Sequence, residues 1–131
     1  MVIGALDFEL FFILLVVYQV KHYIADFPLQ KEYMVKNKAL EGWAFVRPLA
    51  IHCGIHAFLS LLIVMAVNPT LWWLALVDFA THFTMDRIKA GPRYLGRFND
   101  PTTSAFWNCL GFDQMVHHIT HYFIILQLAL H

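Results

Sequence analysis

The stretch Phe11-Phe12-Ile13-Leu14-Leu15-Val16-Val17 is apolar at every position. It lies inside a longer apolar segment, approximately residues 5–26, which Pro28 ends because proline cannot continue a helical hydrogen-bond ladder. A hydrocarbon core of about 30 Å is crossed by about 20 helical residues. This segment therefore predicts a transmembrane helix.

The composition of the whole chain agrees with a membrane protein. Of its 131 residues, 60% are hydrophobic and only 14% are charged, whereas a soluble domain has about 25% charged residues. The formal net charge is zero, so bulk charge does not indicate a nucleic acid partner, and we expect none. Membrane lipid is the partner that we expect, and a homo-oligomer is left open.

Three further apolar segments follow the first one, and proline, asparagine or glycine bounds them. They run approximately over residues 48–67, 70–90 and 104–131. Between the first two segments, residues 31–40 have a helix-forming composition. The sequence predicts an all-α fold: residues 1–131 form a single domain, a four-helix transmembrane bundle with a short cytoplasmic surface helix between helices 1 and 2.

The basic residues indicate the orientation of this bundle. All nine lysines and arginines lie in or near two polar loops, residues 27–47 and 91–103. Loops rich in lysine and arginine remain in the cytoplasm. We therefore expect both loops to be cytoplasmic and both termini to lie on the opposite side of the membrane.

Histidines and aspartates recur at a spacing of four along each predicted helix. Residues four apart lie on one face of an α-helix, so each helix carries one polar stripe that faces a shared interior. A charge at the bilayer centre costs about 2.5–3.5 kcal/mol on insertion scales, so the aspartates require compensation. The candidate residues are His22, Asp26, His52, His56, Asp78, His82, Asp86, Asp113 and His117.

Imidazole and carboxylate groups together are the ligands of zinc and of non-haem iron or manganese. We therefore predict that these nine residues bind one or two divalent metal ions, with zinc as the first choice and iron or manganese as alternatives. Surplus aspartates would accept hydrogen bonds from ligating histidines. A buried network of Asp and His without metal is the other interpretation, and the role of His121 is left open.

The run His22-Tyr23-Ile24-Ala25-Asp26-Phe27-Pro28-Leu29-Gln30 resembles the His-x-x-x-Asp-Phe-x-x-Gln signature of a family of small bacterial and phage membrane proteins, domain of unknown function 3307. Later positions of this family are similar to His52, Asp78, His82 and Asp86. The resemblance implies the bacterial inner membrane or a phage genome, and no activity. In that membrane, the termini would be periplasmic.

The first functional hypothesis is a metal-dependent hydrolase that acts on a lipid or lipid-linked phosphate at the cytoplasmic leaflet. Two ions about 3.5–4 Å apart suit the hydrolysis of phosphate esters. Asp78 or Asp113 would be the general base. Lys21, Arg87 and Lys89 would bind the anionic head group at the rim of the site.

Two other hypotheses remain open. One is a non-enzymatic bacterial or phage membrane protein, in which a structural metal or an Asp/His network serves an ion conduit or a partner-binding module. The other is a di-iron membrane oxidase, because His52-x-x-x-His56 and His117-His118-x-x-His121 resemble parts of histidine boxes. Those boxes are nearly all histidine, so the aspartates favour hydrolysis. The halves of helices 2 and 3 that lie away from the histidines and aspartates are nearly all apolar. This disfavours a conduit, because a conduit needs polar residues across the whole membrane.

Overall fold

A computed structural model describes residues 5–131 of the chain, and these residues confirm the predicted all-α class. Met1–Gly4, which belong to the predicted domain and to the predicted periplasmic N-terminus, lie outside the described residues. The helices of the described part are α1 (Phe8–Asp26), α2 (Glu32–Asn37), α3 (Val46–Val67), α4 (Leu74–Ala90) and α5 (Ser104–Leu130), with 3₁₀ turns at Pro69–Leu71 and Leu95–Arg97.

Two helices begin later than the sequence predicts, because polar side chains cap the preceding residues. Asp7 caps α1, and its Oδ1 accepts a hydrogen bond from the Leu10 amide at 2.9 Å. Asn68 Oδ1 accepts hydrogen bonds from the amide of Thr70 at 3.1 Å and from its hydroxyl at 2.7 Å. These bonds hold the 3₁₀ turn, so α4 begins at Leu74 rather than at residue 70.

The four long helices form a closed ring of contacts. α3 packs against α4, α4 against α5, α5 against α1, and α1 against α3. The last residues of α1 and α4, Asp26 and Ala90, lie at one end of the ring, which we call the polar end. The opposite end is called the apolar end. The short α2 packs against α3 near the polar end.

The interior of the ring changes in character from one end to the other. At the apolar end, it is filled by a hydrophobic core. Toward the polar end, the buried side chains are mostly histidine and aspartate, together with one lysine. The core residues are Leu14, Tyr18, Val64, Leu74, Ile124, Ile125 and Leu128.

The outer surface of the ring is strongly apolar. Large side chains such as Phe12, Phe58 and Ile119 are 67%, 59% and 57% exposed. Within residues 5–131, α1 and α3 are the helices long and apolar enough to cross a membrane. α4 has only 17 residues, and the apolar sequence of α5 is interrupted by polar residues such as Asn108, Asp113, His117 and His121. The four predicted long helices are therefore present in the structure. Two of them, α1 and α3, are candidate membrane spans.

Candidate metal centre

Lys21 is the innermost cation of the site, and the hypothesis that placed it at the rim is wrong. Its Nζ lies 3.2 Å from Nδ1 of His56 and 3.3 Å from Nε2 of His121. It also lies 2.6 Å from Oδ2 of Asp78. Lys21 is buried because it follows Tyr18 by three residues and so lies on the inward face of α1.

The carboxylate of Asp78 is surrounded by other side chains at the depth of Lys21. His82 Nδ1 lies 3.1 Å from its Oδ1, and His121 Nε2 lies 3.6 Å from the same oxygen. The hydroxyl of Ser60 donates a hydrogen bond to Oδ2. The spacing of polar residues predicted no role for Ser60 and left the role of His121 open. We call this group the deep layer; it consists of Lys21, His56, Ser60, Asp78, His82 and His121.

A second group, nearer the polar end, contains two carboxylates around one imidazole. His117 Nε2 lies 3.0 Å from Oδ1 of Asp86 and 3.0 Å from Oδ1 of Asp113. One nitrogen carries at most one proton, so it cannot donate fully to both oxygens. Oδ2 of Asp86 is buried and makes no hydrogen bond within the described residues, although Nε2 of His52 lies 3.2 Å from it. This group therefore has more acceptors than donors.

A third group surrounds Asp26 and is joined to the second. Asp26 Oδ1 lies 2.8 Å from Nε2 of His56 and 3.5 Å from Nε2 of His52. His52 Nε2 also lies 3.2 Å from Oδ2 of Asp86. His22 stands beside this group, with Nε2 2.9 Å from Asp26 Oδ2. We call the combined second and third groups the cavity layer; it consists of Asp26, His52, Asp86, Asp113 and His117.

The two layers differ in charge balance. In the deep layer, the carboxylate of Asp78 faces the ammonium of Lys21. In the cavity layer, three carboxylates face two lysines within the described residues: Lys89, whose Nζ lies 3.4 Å from Oδ2 of Asp113 and which is 32% exposed, and Lys38, which lines the same cavity. A divalent cation would neutralise the excess negative charge of the cavity layer.

The spacing of the ligand atoms fits a metal ion. A tetrahedral ion with bonds of about 2.0–2.1 Å holds its ligand atoms about 3.3 Å apart, and the nitrogen–oxygen distances in the cavity layer and to His56 run from 2.8 to 3.5 Å. Among the described residues, three groups have ligand atoms within 4.8 Å of one another. They are Asp26–His52–His56, Asp86–Asp113–His117 and His56–His82–His121.

The third of these groups differs from the other two, because the Lys21 ammonium already lies against it. Lys21 Nζ is within hydrogen-bond distance of two of its three histidines. The imidazole rings connect this group with the cavity layer, since the ring centroids of His82 lie 3.8 Å from those of His56 and His117. The deep layer therefore has a cation of its own and contacts the cavity layer through stacked rings.

A cavity of about 180 Å³ adjoins the cavity layer. All five residues of that layer line it, whereas Asp78 and His82 do not. Lys38 and Lys89 stand in its wall, and Lys38 Nζ donates a hydrogen bond to Gln30 Oε1 at 2.9 Å. The sequence did not single out Lys38, since it lies just after α2, in a polar loop without periodicity.

Arg87 lies elsewhere than the sequence hypothesis placed it. Its guanidinium carbon is 3.6 Å from the centroid of the Phe45 ring, and its Nη1 donates a hydrogen bond to the carbonyl of Leu40 at 3.0 Å. Arg87 therefore fixes the loop before α3 onto α4 and does not line the cavity.

One comparison with known proteins gives a match. The family model described as "Protein of unknown function (DUF3307)" matches residues 10–131. This match covers most of the chain, includes every candidate metal ligand and confirms the resemblance found in the sequence. No curated protein and no solved structure matches the chain.

Proposed function

Because the chain belongs to the DUF3307 family, whose description states no activity, we propose a function from the site: a metal-dependent hydrolase of a lipid or lipid-linked phosphate. The observation that carries this proposal is the convergence of three carboxylates and two histidines on one cavity that two lysines flank. Carboxylates and imidazoles suit divalent ions, and ammonium groups beside them suit an anionic substrate.

The protein that we propose crosses a bacterial inner membrane with all four long helices. Its apolar exterior and polar interior support this, because the side chains that would face lipid are the hydrophobic ones. The basic residues support an orientation with the polar end in the cytoplasm and both termini in the periplasm. The cavity would then open near the cytoplasmic leaflet.

The proposed metal ligands are those of the cavity layer other than Asp113, together with His56. When bound, a divalent ion supplies Lewis acidity toward a phosphoryl oxygen and activates water. Zinc is the first choice, with iron or manganese as alternatives, and the two joined groups of ligands would accommodate one or two ions. His22 would orient Asp26 through its bond of 2.9 Å.

Asp113 is the general base in this proposal. It lines the cavity and lies on the side of the layer that faces Lys89, where an attacking water would be within its reach. Asp78, the other base that the sequence suggested, is fully buried and paired with Lys21. Lys38 and Lys89 would hold the phosphate oxygens of the substrate.

A second candidate function is a non-enzymatic one, in which the Asp/His network only holds the bundle together. Each of the four aspartates, of which Asp26 is half-buried and the others are buried, has a histidine nitrogen within 3.1 Å, so hydrogen bonds alone could connect the helices. An ion conduit is a weaker candidate, because the hydrophobic core fills the ring at the apolar end. A di-iron oxidase is weaker too, since the most histidine-rich group lies against the ammonium of Lys21.

The direct test is hydrolysis by purified protein in detergent, free of affinity-tag histidines and loaded with zinc or manganese. We expect it to release phosphate or head group from at least one lipid in a panel of inner-leaflet phospholipids and lipid-linked phosphates. The Asp86→Ala variant, prepared in the same way, should release none. No turnover on any lipid would reject the hydrolase, and ion flux in proteoliposomes would favour the conduit.

A further inference from the structure

A second cavity, of about 220 Å³, adjoins the one that the metal ligands line. The two cavities share Lys89 and Leu110 as wall residues. Among the described residues, Lys89 is the charged member of the second cavity's wall. The remaining walls are mostly apolar and include Ala39, Ala90, Leu95, Phe98, Phe106 and Cys109. We call this second cavity the side pocket.

We propose that the side pocket holds the hydrocarbon chain of the substrate. The inference rests on the proposed function and defines its substrate class: a phosphate ester of an acyl lipid, with the phosphate at Lys89 and the beginning of one chain in the side pocket. Lys89 marks the boundary, because carboxylates lie on one side of it and apolar side chains on the other. An amphiphile likewise has a charged head group next to an apolar chain.

The dimensions of the two cavities agree with a ligand that spans both. Sites for small molecules usually have volumes of about 300–1,000 Å³. The cavity at the metal ligands has about 180 Å³ and the side pocket about 220 Å³, so neither reaches that range alone. A head group would occupy the first cavity, and a chain would continue into the second.

The far wall of the side pocket is firmly attached to the end of α4. The amide of Gly96 donates a hydrogen bond to the Gly91 carbonyl at 3.0 Å. A Cβ atom at Gly96 would overlap the carbonyl oxygens of Ala90 and Gly91, so only glycine permits this approach. The wall is therefore formed before a ligand binds, which reduces the entropy cost of binding.

The thiol of Cys109 provides a probe of the side pocket that does not depend on activity. Cys109 is half-buried in the wall, whereas Cys53 is fully buried inside the bundle. In amphipol-held protein, dioctanoyl phosphatidic acid at about ten times its dissociation constant should slow the maleimide modification of Cys109 about tenfold. Glycerol 3-phosphate, which has no chain, should leave the rate unchanged. Equal protection by both compounds, or by neither, would overturn the inference.

A pair of tryptophan variants separates this inference from the proposed function. Cys109→Trp fills the side pocket, and Asn108→Trp adds the same side chain at an exposed neighbouring position. Cys109→Trp should raise the KM for dioctanoyl phosphatidic acid about tenfold or more, a loss of about 1.4 kcal/mol, with unchanged metal content and glycerol 3-phosphate hydrolysis. Asn108→Trp should change none of these. Selective protection of Cys109 in a wild-type protein that hydrolyses nothing would support the pocket and reject the hydrolase.

Discussion

Nζ of Lys21 lies 2.6 Å from Oδ2 of Asp78, and the two side chains are 3% and 0% exposed. This pair neutralises the deep layer from within the chain. The cavity layer has three carboxylates and, among the described residues, two lysines in the wall of its cavity, so negative charge is left in excess. The two layers are thus neutralised differently, and we infer that an external cation is needed only in the cavity layer.

Removal of the Lys21 ammonium should destabilise the protein strongly. Lys21→Met leaves the Asp78 carboxylate buried without its partner, and breaking a buried ion pair in this way costs about 3–5 kcal/mol. The double variant Lys21→Met/Asp78→Asn should recover most of this loss, because neither charge remains. Thermal unfolding in detergent measures both effects.

The control for this prediction is an ion pair on the surface. Lys36 and Glu32 form an exposed pair on α2, with side chains 69% and 77% exposed. Lys36→Met should change the free energy of unfolding by no more than about 1 kcal/mol. If Lys21→Met were as mild as Lys36→Met, the ion pair would not be the stabilising element of the deep layer.

Removal of metal should lower the melting temperature of the wild-type protein. An ion that binds only the folded state stabilises it by about 2.7 kcal/mol at a concentration of 100 times its dissociation constant. A chelator should therefore shift the thermal transition downward, and added zinc should restore it. Asp86→Ala, which lacks a proposed ligand, should respond to neither treatment. An identical response in wild type and variant would indicate that the metal acts elsewhere.

The membrane orientation can be tested with introduced cysteines in a Cys109→Ser background, in which the remaining Cys53 is buried. Thr70→Cys lies in the turn at the apolar end, and Lys36→Cys lies on α2 near the polar end. A membrane-impermeant maleimide added to intact cells should modify Thr70→Cys and should reach Lys36→Cys only after the inner membrane is opened. Modification of Lys36→Cys in intact cells would reverse the proposed orientation.

The role of Asp113 can be distinguished from that of a metal ligand. Asp113→Asn keeps the shape of the side chain and removes its negative charge, so metal should remain largely bound while turnover falls about 10²–10⁴-fold, as for a lost general base. Asp100→Asn, in the exposed loop before α5, should have normal turnover. Loss of metal together with activity in Asp113→Asn would make Asp113 a ligand rather than the base.

The sequence predicted the helices and their inward faces well, because the spacing of polar residues reports directly on helix geometry. The stripes of α3 and α5, for example, place His52 and His117 in the interior, as the structure does. A spacing of three also keeps two residues on one face of a helix, so applied to Tyr18 and Lys21 it would have placed Lys21 inside as well. Its charge suggested the rim instead, although the charge is neutralised by Asp78.

Other features of the site could not be predicted from periodicity. Spacing along one helix does not determine how far a neighbouring helix is displaced along its axis, so the contacts of Asp78 with Lys21 of α1 and Ser60 of α3 became visible only in the structure. Lys38 lies in a loop, and its position depends on how α2 packs against α3. The sequence hypothesis placed Arg87 wrongly for a similar reason. Its contacts, the Phe45 ring and the Leu40 carbonyl, belong to the irregular segment between α2 and α3.

The metal content of the purified protein tests the central claim most directly. Protein prepared in detergent without chelator or affinity-tag histidines should contain a stoichiometric divalent metal by elemental analysis. His117→Ala and Asp86→Ala should reduce this content to background, because both residues belong to the cavity layer. His118→Ala, which alters the half-buried neighbour of His117, should retain it. Absence of metal from the wild type, or its survival in both ligand variants, would contradict the metal centre and favour the hydrogen-bonded network.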